Sequence, residues 1–293
     1  MRSLLFIPAD SPRKLEKGLS SAADAIIVDL EDSIAPEHKA QARASALSFL
    51  KEASAAVQRP RLYVRVNGLQ TGLTDADLDV IAGRPDGIML PKAEGGAAVI
   101  HLDAKLTANE AVHGLPDGSI DVIAIATETA AALFLAGTFA NSSARLKGLT
   151  WGAEDLSAEL GAEANRNDDG RFLDPYRLAR SLCLAGAAAA RVPAIDTVSV
   201  DFRNLERLRR DCAEARRDGF NGAMAIHPAQ VEVINEVFTP TAEAIAKAHV
   251  VIAAFAAAPG AGTVGIDGLM YDRPHLARAE QLLARAKAAG IAV

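Results

Sequence analysis

Cysteine, excess positive charge and long apolar runs are scarce in this chain, and each shortage excludes a class of protein. The two cysteines, Cys183 and Cys212, show no CxxC spacing, so we interpret them as idle thiols in a reducing compartment. Lysine and arginine number 31 against 37 aspartate and glutamate residues, a formal net charge of −6. Nucleic acids and anionic membranes bind clustered positive charge, so neither is expected as the main partner.

The sequence also shows no pattern typical of a targeting segment or a membrane span. The apolar residues after Met1 are too few for a signal peptide, and Ala248–Ala258 is about half as long as a membrane span. The sequence contains no GxxxxGK[ST], HExxH or GxSxG motif. Gly260-x-Gly262-x-x-Gly265 has the letters of a dinucleotide fingerprint, but it follows a helical pattern and opens no helix. We expect a cytoplasmic protein that binds no membrane.

Short apolar runs alternate with longer helical patterns, which is typical of βα units around a parallel sheet. Several runs are continuously apolar, as in strands that are covered on both faces. Eight such runs predict an α/β fold, a closed (β/α)₈ TIM barrel, with a doubly wound open sheet as the alternative. The predicted strands are Leu4–Ile7, Ala25–Leu30, Leu62–Val66, Gly87–Leu90, Val122–Ala126, Leu146–Thr150, Thr197–Val200 and Gly222–Ile226. The predicted helices include Glu37–Ala55, Tyr176–Ala190, Asn204–Asp218 and Ala242–Ala257.

The pattern changes near the C-terminus. Pro259-Gly260-Ala261-Gly262 is a flexible breaker, and it is followed by Thr263–Asp272 and by a last helix from Pro274. We therefore predict a catalytic barrel over residues 1–258 and a C-terminal extension over residues 259–293.

Polar residues follow five successive strands, at the carboxyl ends where TIM barrels hold their active sites. Glu128 follows the fifth strand and Asp155 the sixth, close enough for the two carboxylates to share one cation. Mg²⁺ is usually held by one or two carboxylates together with waters and substrate oxygens. Both acids also precede helical sequence, where a carboxylate suits the positive end of a helix. The spacing leaves a magnesium site and helix capping both open.

An arginine, Arg65, ends the third strand at the same face. A planar guanidinium there suits a substrate carboxylate or a developing enolate, and a structural ion pair with Glu31 or Asp32 is the alternative. The run Asp29-Leu30-Glu31-Asp32 either fixes Arg65 or holds metal-bound waters. Strand alternation lets at most two members of that run line the site.

Two further features stand at strand ends. Arg13 and Lys14, after the first strand, suit the phosphates of a nucleotide-bearing substrate, and a solvated helix face is the alternative. His227 follows the eighth strand and is interpreted as a turn residue.

Taken in order, these motifs resemble the HpcH/HpaI aldolase and citrate lyase superfamily, in the branch of citrate lyase beta subunits and malyl- or citramalyl-CoA lyases. The likeness covers nearly the whole chain. The segments that carry it are Arg2-Ser3 with Pro8, Asp29-Leu30-Glu31-Asp32-Ser33, Val64-Arg65-Val66-Asn67, Leu90-Pro91-Lys92, Glu128-Thr129-Ala130, Gly152-Ala153-Glu154-Asp155-Leu156, Ile195-Asp196-Thr197, Gly219-Phe220, Ile226-His227-Pro228-x-Gln230 and Asp267-Gly268-x-Met270-x-Asp272-x-Pro274.

The resemblance implies a Mg²⁺-dependent lyase that cleaves a malyl, citramalyl or citryl thioester into an acetyl thioester and a 2-oxo acid. It implies that Glu128 and Asp155 bind the metal, with Glu128 also at the substrate, and that Arg65 contacts the oxo-acid portion. Asp272 matches an acid/base that a neighbouring subunit's C-terminal extension delivers, which implies a homo-oligomer, a trimer by resemblance. Glu31 and Asp32 are further catalytic candidates. Cations that match contacts to the CoA phosphates are Arg2, Arg13 and Lys14.

Two positions depart from the family pattern. Relatives often carry glycine where this chain has Ala9 and lysine where it has Ala223, which leaves the acyl carrier, CoA or acyl-carrier protein, open. Three alternative functions remain at this stage. They are a beta subunit of a multi-subunit citrate lyase, a malyl-CoA thioesterase and a non-catalytic scaffold subunit, the last disfavoured by the retained site residues.

Overall fold

A computed structural model describes all 293 residues and contains one parallel sheet of eight strands. Around the sheet the order is β6-β5-β4-β3-β2-β1-β8-β7, and every neighbouring pair is parallel. A single bridge between Leu149 and Ala194 brings β6 against β7, and the Leu149 N–H donates to the Pro193 carbonyl at 3.0 Å. The sheet is thus a nearly closed barrel, which confirms the predicted fold. The strands are β1 Ser3–Pro8, β2 Ala25–Asp29, β3 Arg61–Arg65, β4 Gly87–Leu90, β5 Asp121–Ile125, β6 Leu146–Thr150, β7 Ile195–Asp196 and β8 Gly222–Ala225.

Helices follow the strands and cover the outside of the barrel. Two sets of side chains fill the two sides of the sheet, as alternation along each strand requires. In β2, for example, Ala25 and Ile27 belong to the cluster inside the barrel, while Ile26 and Val28 pack outward against the helices. The helices are α1 Pro12–Leu19, α2 Lys39–Ala53, α3 Thr74–Asp77, α4 Gly95–Val112, α5 Ala130–Leu135, α6 Ala153–Glu159, α7 Asp174–Ala190, α8 Leu205–Asp218, α9 Pro228–Phe238, α10 Ala242–Ala257 and α11 Arg273–Ala288.

The seventh strand lies earlier and is shorter than predicted. The predicted segment Thr197–Val200 has strand-like residues, but only Ile195 and Asp196 pair with β8. The chain leaves the sheet at Asp196, whose carboxylate accepts hydrogen bonds from the Trp151 indole (2.6 Å) and from its neighbour's N–H (3.0 Å). Val200 is consequently 53% exposed. The hydrogen bonds at Asp196 thus outweigh the strand propensity of Thr197–Val200.

The C-terminal residues form a small unit of their own. The strands β9 (Thr263–Ile266) and β10 (Leu269–Asp272) make an antiparallel hairpin ahead of α11. Helix α10 joins α11 in a separate apolar cluster of Ala248, Val251, Phe255 and Ala279. The division of the chain at residue 258 stays a prediction, although this cluster groups α10 with the extension.

One stretch, Pro228–Ala257, has the length and composition of a membrane span, with a mean hydropathy of 1.2. It is nevertheless two helices, since α9 ends at Phe238 and α10 begins at Ala242. The apolar side chains of α9 are buried in the barrel's outer cluster, whereas only 17% of the most apolar 18 residues of the stretch are buried.

Candidate active site

The carboxyl ends of β2 to β6 bring together the charged residues that the sequence singled out there. Asp29 and Arg65 are the last residues of β2 and β3 and are directly paired in the strand register. Lys92 follows β4, Glu128 follows β5, and Asp155 lies in the first turn of α6, just after β6. These residues form one connected set of ion pairs, which we call the rim cluster: Asp29, Glu31, Asp32, Arg65, Lys92, Glu128 and Asp155.

Arg65 is held by a two-point contact with Asp29. Its Nε and Nη2 donate to the two carboxylate oxygens of Asp29 at 2.7 Å each, and its guanidinium lies 4.8 Å from the centre of the Phe6 ring. Asp29 is buried, which raises its pKa, but the Arg65 charge and hydrogen bonds outweigh burial and leave the pKa of Asp29 below its ordinary value. Asp29 thus remains a carboxylate and fixes the plane of the guanidinium.

The remaining nitrogen of Arg65 faces the other acids of the run. Nη1 lies 2.9 Å from Oε2 of Glu31 and 3.4 Å from Oδ2 of Asp32. Glu31 is buried, whereas the Asp32 side chain is 53% exposed. Burial raises the pKa of Glu31 to about 7 in spite of the neighbouring cations. The structural ion pair expected as an alternative role of Arg65 is therefore present, and Nη1 is the nitrogen on the side of Glu31 and Asp32.

Lys92 links the two halves of the rim cluster. Its Nζ lies 2.5 Å from Oε1 of Glu31 and 3.2 Å from Oδ1 of Asp155, while its backbone N–H donates to Oε2 of Glu128 at 2.6 Å. The backbone of Lys92 is left-handed (φ 50°), which non-glycine residues adopt at a cost of about 1 kcal/mol or more. Sequence reasoning assigned Lys92 no role, although its place after β4 was a usable signal.

Glu128 and Asp155 both contact Lys92 and lie close enough for the charge of Asp155 to act on Glu128. Glu128 is buried against Gly152, where an added Cβ would lie 2.7 Å from Oε1 of Glu128. Burial, and then the charge of Asp155, raise the pKa of Glu128 well above its ordinary value. Neither acid hydrogen-bonds a helix end as an N-cap: Thr129 caps α5, and Gly152 occupies the N-cap position of α6. Asp155 nevertheless lies in the first turn of α6, where its charge suits the positive end of the helix, so both roles stay open for it.

The predicted CoA-binding cations divide between the two ends of the barrel. Arg13 and Lys14 are exposed on the first turn of α1, at the carboxyl end of β1 and on the same side as the rim cluster. Arg2 precedes β1 and is at the opposite end, where its guanidinium donates to Asp24 (2.7 Å) and to the Thr239 hydroxyl (2.9 Å). A residue before a barrel strand lies at its amino end, so Arg2 is separated from Arg13 and Lys14, and its contact with CoA stays a prediction.

Asp272 is separate from the rim cluster within one chain. It ends β10, stands at the N-cap position of α11 and forms an ion pair with His275. No hydrogen bond or ion pair joins Asp272 to a barrel residue. The expected action of Asp272 on a substrate therefore requires the rim cluster of another molecule, such as a second subunit.

The fold and the rim cluster together define a TIM-barrel enzyme whose active end carries buried acids, an oriented guanidinium and a lysine. A family model described as HpcH/HpaI aldolase/citrate lyase matches residues 2–228, and the chain belongs to this family. The expected enzyme class, a lyase, is confirmed by this membership.

Three similar proteins illustrate the range of the family. The (3S)-malyl-CoA thioesterase of Cereibacter sphaeroides is 38% identical over 295 residues, covering 98% of this chain and 95% of that protein. The L-malyl-CoA/beta-methylmalyl-CoA lyase of the same organism is 33% identical over 305 residues, covering 98% and 94%. The crystal structure of CitE from Mycobacterium tuberculosis, in complex with magnesium, acetoacetate and coenzyme A, matches with a TM-score of 0.78 at 34% identity, over 98% of each chain.

The raised pKa of Glu31 predicts a pH-dependent stability. Because the folded-state pKa, about 7, exceeds the ordinary value of 4.5, the folded chain binds this proton more tightly than the unfolded chain. Stability from this group is therefore complete below about pH 4.5 and falls as the pH rises to about 7. Glu31→Gln should flatten that decline, on the order of 1–3 kcal/mol, in urea unfolding at a series of pH values.

Glu236→Gln is the matched control, since Glu236 pairs with Arg209 on an exposed helix surface. It should leave the slope between pH 4.5 and 7 unchanged. Parallel stability curves for the wild type and Glu31→Gln would show that Glu31 ionises normally in the folded chain.

Proposed function

We propose that this protein is a Mg²⁺-dependent carbon–carbon lyase that cleaves a short β-hydroxyacyl thioester, malyl-, citramalyl- or citryl-, in the cytoplasm. The observation that carries the proposal is the pairing of Glu128 with Asp155 beside the fixed Arg65. Two adjacent carboxylates suit a hard cation, and the guanidinium suits the anionic oxygens of the substrate.

The residues at the rim fit a magnesium ion. Burial and mutual repulsion disfavour two carboxylates in one pocket, and a divalent cation removes that repulsion. No group of three or more aspartate, glutamate, histidine or cysteine side chains is arranged to hold a metal ion. A site with two protein ligands, Glu128 and Asp155, leaves coordination positions for water and substrate, as Mg²⁺ prefers. When bound, Mg²⁺ supplies a Lewis acid at the hydroxyl and carboxylate of the acid half.

The chain's own residues account for the remaining steps. Glu31, with a pKa near neutrality and an Oε2 that lacks an aligned hydrogen bond, takes the substrate hydroxyl proton. The bond between the hydroxy carbon and the thioester α-carbon then breaks, and its electron pair becomes a thioester enolate. Nη1 of Arg65, the nitrogen that contacts Glu31 rather than Asp29, stabilises the developing negative charge. Lys92 keeps Glu31 and Asp155 in place during these steps.

Asp272 protonates the enolate carbon in this proposal, giving the acetyl thioester. Because Asp272 is separate from the rim in its own chain, a neighbouring subunit's extension supplies it, and the active protein is a homo-oligomer, a trimer by resemblance. A ring suits an arm that passes from each subunit to the next. Arg13 and Lys14, exposed near the same end, contact the phosphates of a CoA thioester.

Thioester hydrolysis is a second candidate function. The specific observation in its favour is the 38% identity with a (3S)-malyl-CoA thioesterase, above the 33% with the lyase. Malyl-CoA gives acetyl-CoA and glyoxylate by lysis, and malate with free CoA by hydrolysis. A citrate lyase beta subunit would instead prefer citryl on an acyl-carrier protein. Product analysis with Mg²⁺ and malyl-, citramalyl- and citryl-CoA separates these functions.

The metal assignment predicts the behaviour of two variants. Glu128→Ala and Asp155→Ala should each abolish Mg²⁺-dependent binding of pyruvate or oxaloacetate while the fold is retained, because both acids lie outside the apolar core. Calorimetry with and without EDTA measures the binding. Glu154→Ala is the matched control, since Glu154 is the exposed neighbour of Asp155 and bonds only to Asn165. Normal binding in both rim variants would leave the metal site without support.

The role of Arg65 predicts a loss of rate on replacement by lysine. Arg65→Lys keeps the positive charge but has a single side-chain nitrogen. It therefore cannot contact both carboxylate oxygens of Asp29 and also donate to the substrate. Turnover should fall on the order of 10²-fold or more, as when one transition-state donor is lost. Arg61→Lys, on the same strand but at its amino end, should have almost the same turnover as the wild type. Equal rates for the two variants would make Arg65 a purely structural partner of Asp29.

The role of Asp272 predicts complementation between inactive chains. Asp272→Asn keeps a good N-cap residue for α11, so a capping role alone predicts normal activity, whereas an acid/base role predicts inactivity. Unfolded and reassembled together, Asp272→Asn and Glu128→Ala chains should recover part of the lyase activity, because mixed rings contain complete sites. No recovery at any mixing ratio, or an active monomer by light scattering, contradicts delivery from a neighbour.

A further inference from the structure

Two arginines without acidic partners meet at the amino end of the barrel, opposite the rim cluster. Arg216 lies on α8 and Arg285 on α11, and both line a cavity of about 280 Å³. The place of this cavity follows from its other walls: Phe220 precedes β8, and Phe238 ends α9. The cavity therefore lies between the barrel and the C-terminal extension, away from the proposed active site.

The charges around this cavity are unbalanced. Arg216 donates to the backbone carbonyl of Val237 at 3.1 Å, and neither arginine forms an ion pair. Two other arginines of α8 are paired, since Arg207 contacts Asp201 and Arg209 contacts Glu236. Arg285 is partly buried, and burial together with the charge of Arg216 lowers its pKa. Two like charges share the cavity with nothing to neutralise them.

The rest of the lining adds a weaker positive potential and an apolar wall. Thr241, the N-cap residue of the sixteen-residue helix α10, lines the cavity, so the positive end of that helix faces the same space. The half-buried Pro240, Ala244 and Leu282 supply the accessible apolar surface, with the buried Phe220 and Phe238 behind it. Such a combination of a few convergent charges and an apolar wall is typical of a small-molecule site.

We propose that this cavity binds a small organic anion. A phosphate or carboxylate group lies between Arg216 and Arg285, and an apolar or aromatic body lies against the wall of Pro240, Ala244 and Leu282. The bound anion removes the repulsion between the two guanidiniums and ties α11 of the extension to the barrel. This site and its ligand are independent of the lyase reaction at the other end of the barrel.

Thermal unfolding with a phosphate series tests the site. The full-length protein is studied in EDTA, at ionic strength held constant with sodium chloride, with inorganic phosphate and then phenyl phosphate as probes. Each should raise the Tm in a saturable manner. Phenyl phosphate should reach its half-maximal effect at a concentration at least about tenfold below that of inorganic phosphate. The reason is that its ring moves from water to the apolar wall. Both probes should also protect the Pro259–Gly262 segment from limited proteolysis.

Five variants separate the cavity from other effects of phosphate. Arg216→Gln and Arg285→Gln should lose the saturable Tm rise, whereas Arg285→Lys should keep part of it. The matched controls Arg217→Gln and Arg278→Gln, exposed neighbours on α8 and α11, should respond as the wild type does. In chloride alone, Arg285→Gln should be at least as stable as the wild type, because the repulsion is gone.

Two results would overturn the proposal. Equal Tm rises in the wild type and in both cavity glutamine variants mean that phosphate acts by exclusion from the protein surface or by binding elsewhere. A lower Tm of Arg285→Gln in chloride alone means that Arg285 already has a partner that stabilises it, such as a carboxylate of a second copy of the chain.

Discussion

The two-point contact between Asp29 and Arg65 is the interaction on which the rest of the active end depends. A buried carboxylate or guanidinium is strongly unfavourable alone, and loss of one partner from such a pair costs about 3–5 kcal/mol. Here adjacent strands in register bring the two groups together at the last residues of β2 and β3. Since Asp29 occupies two of the three guanidinium nitrogens, the third can point only toward Glu31 and the substrate side.

Charges of alternating sign continue from this pair across the barrel mouth. Arg65 contacts Glu31, Glu31 contacts Lys92, and Lys92 reaches both Asp155 and, through its backbone, Glu128. The series is not balanced, because acids outnumber cations, and the excess negative charge falls on the buried Glu31 and Glu128, whose pKa values are raised. Strain and uncompensated charge of this kind are typical of functional sites, where stability is exchanged for reactivity.

Two charged clusters of opposite sign lie at opposite ends of the barrel. The carboxyl end carries an excess of acids at the rim cluster, while the amino end carries the arginine pair of α8 and α11. The C-terminal extension contributes a residue to each proposed site: Asp272 stands at the start of α11 and Arg285 near its end. One helix thus connects the proposed catalytic acid with the proposed anion cavity, although the two proposals stand on separate observations.

The sequence by itself determined most of the barrel and half of its active end. Continuous apolar runs identified seven of the eight strands closely, and the rule that barrel chemistry lies at carboxyl strand ends placed Arg65, Glu128 and Asp155 together. The same rule, applied to the position of Arg2 before β1, would have located that residue at the amino end. Only the tertiary structure decided that β7 ends at Asp196, because the Trp151 indole holds that carboxylate across the sheet. It also decided the role of Lys92, whose left-handed backbone turns one residue toward three acids from different strands. Burial, reach and mutual charge are properties of residues far apart in the chain, so no local pattern encodes them.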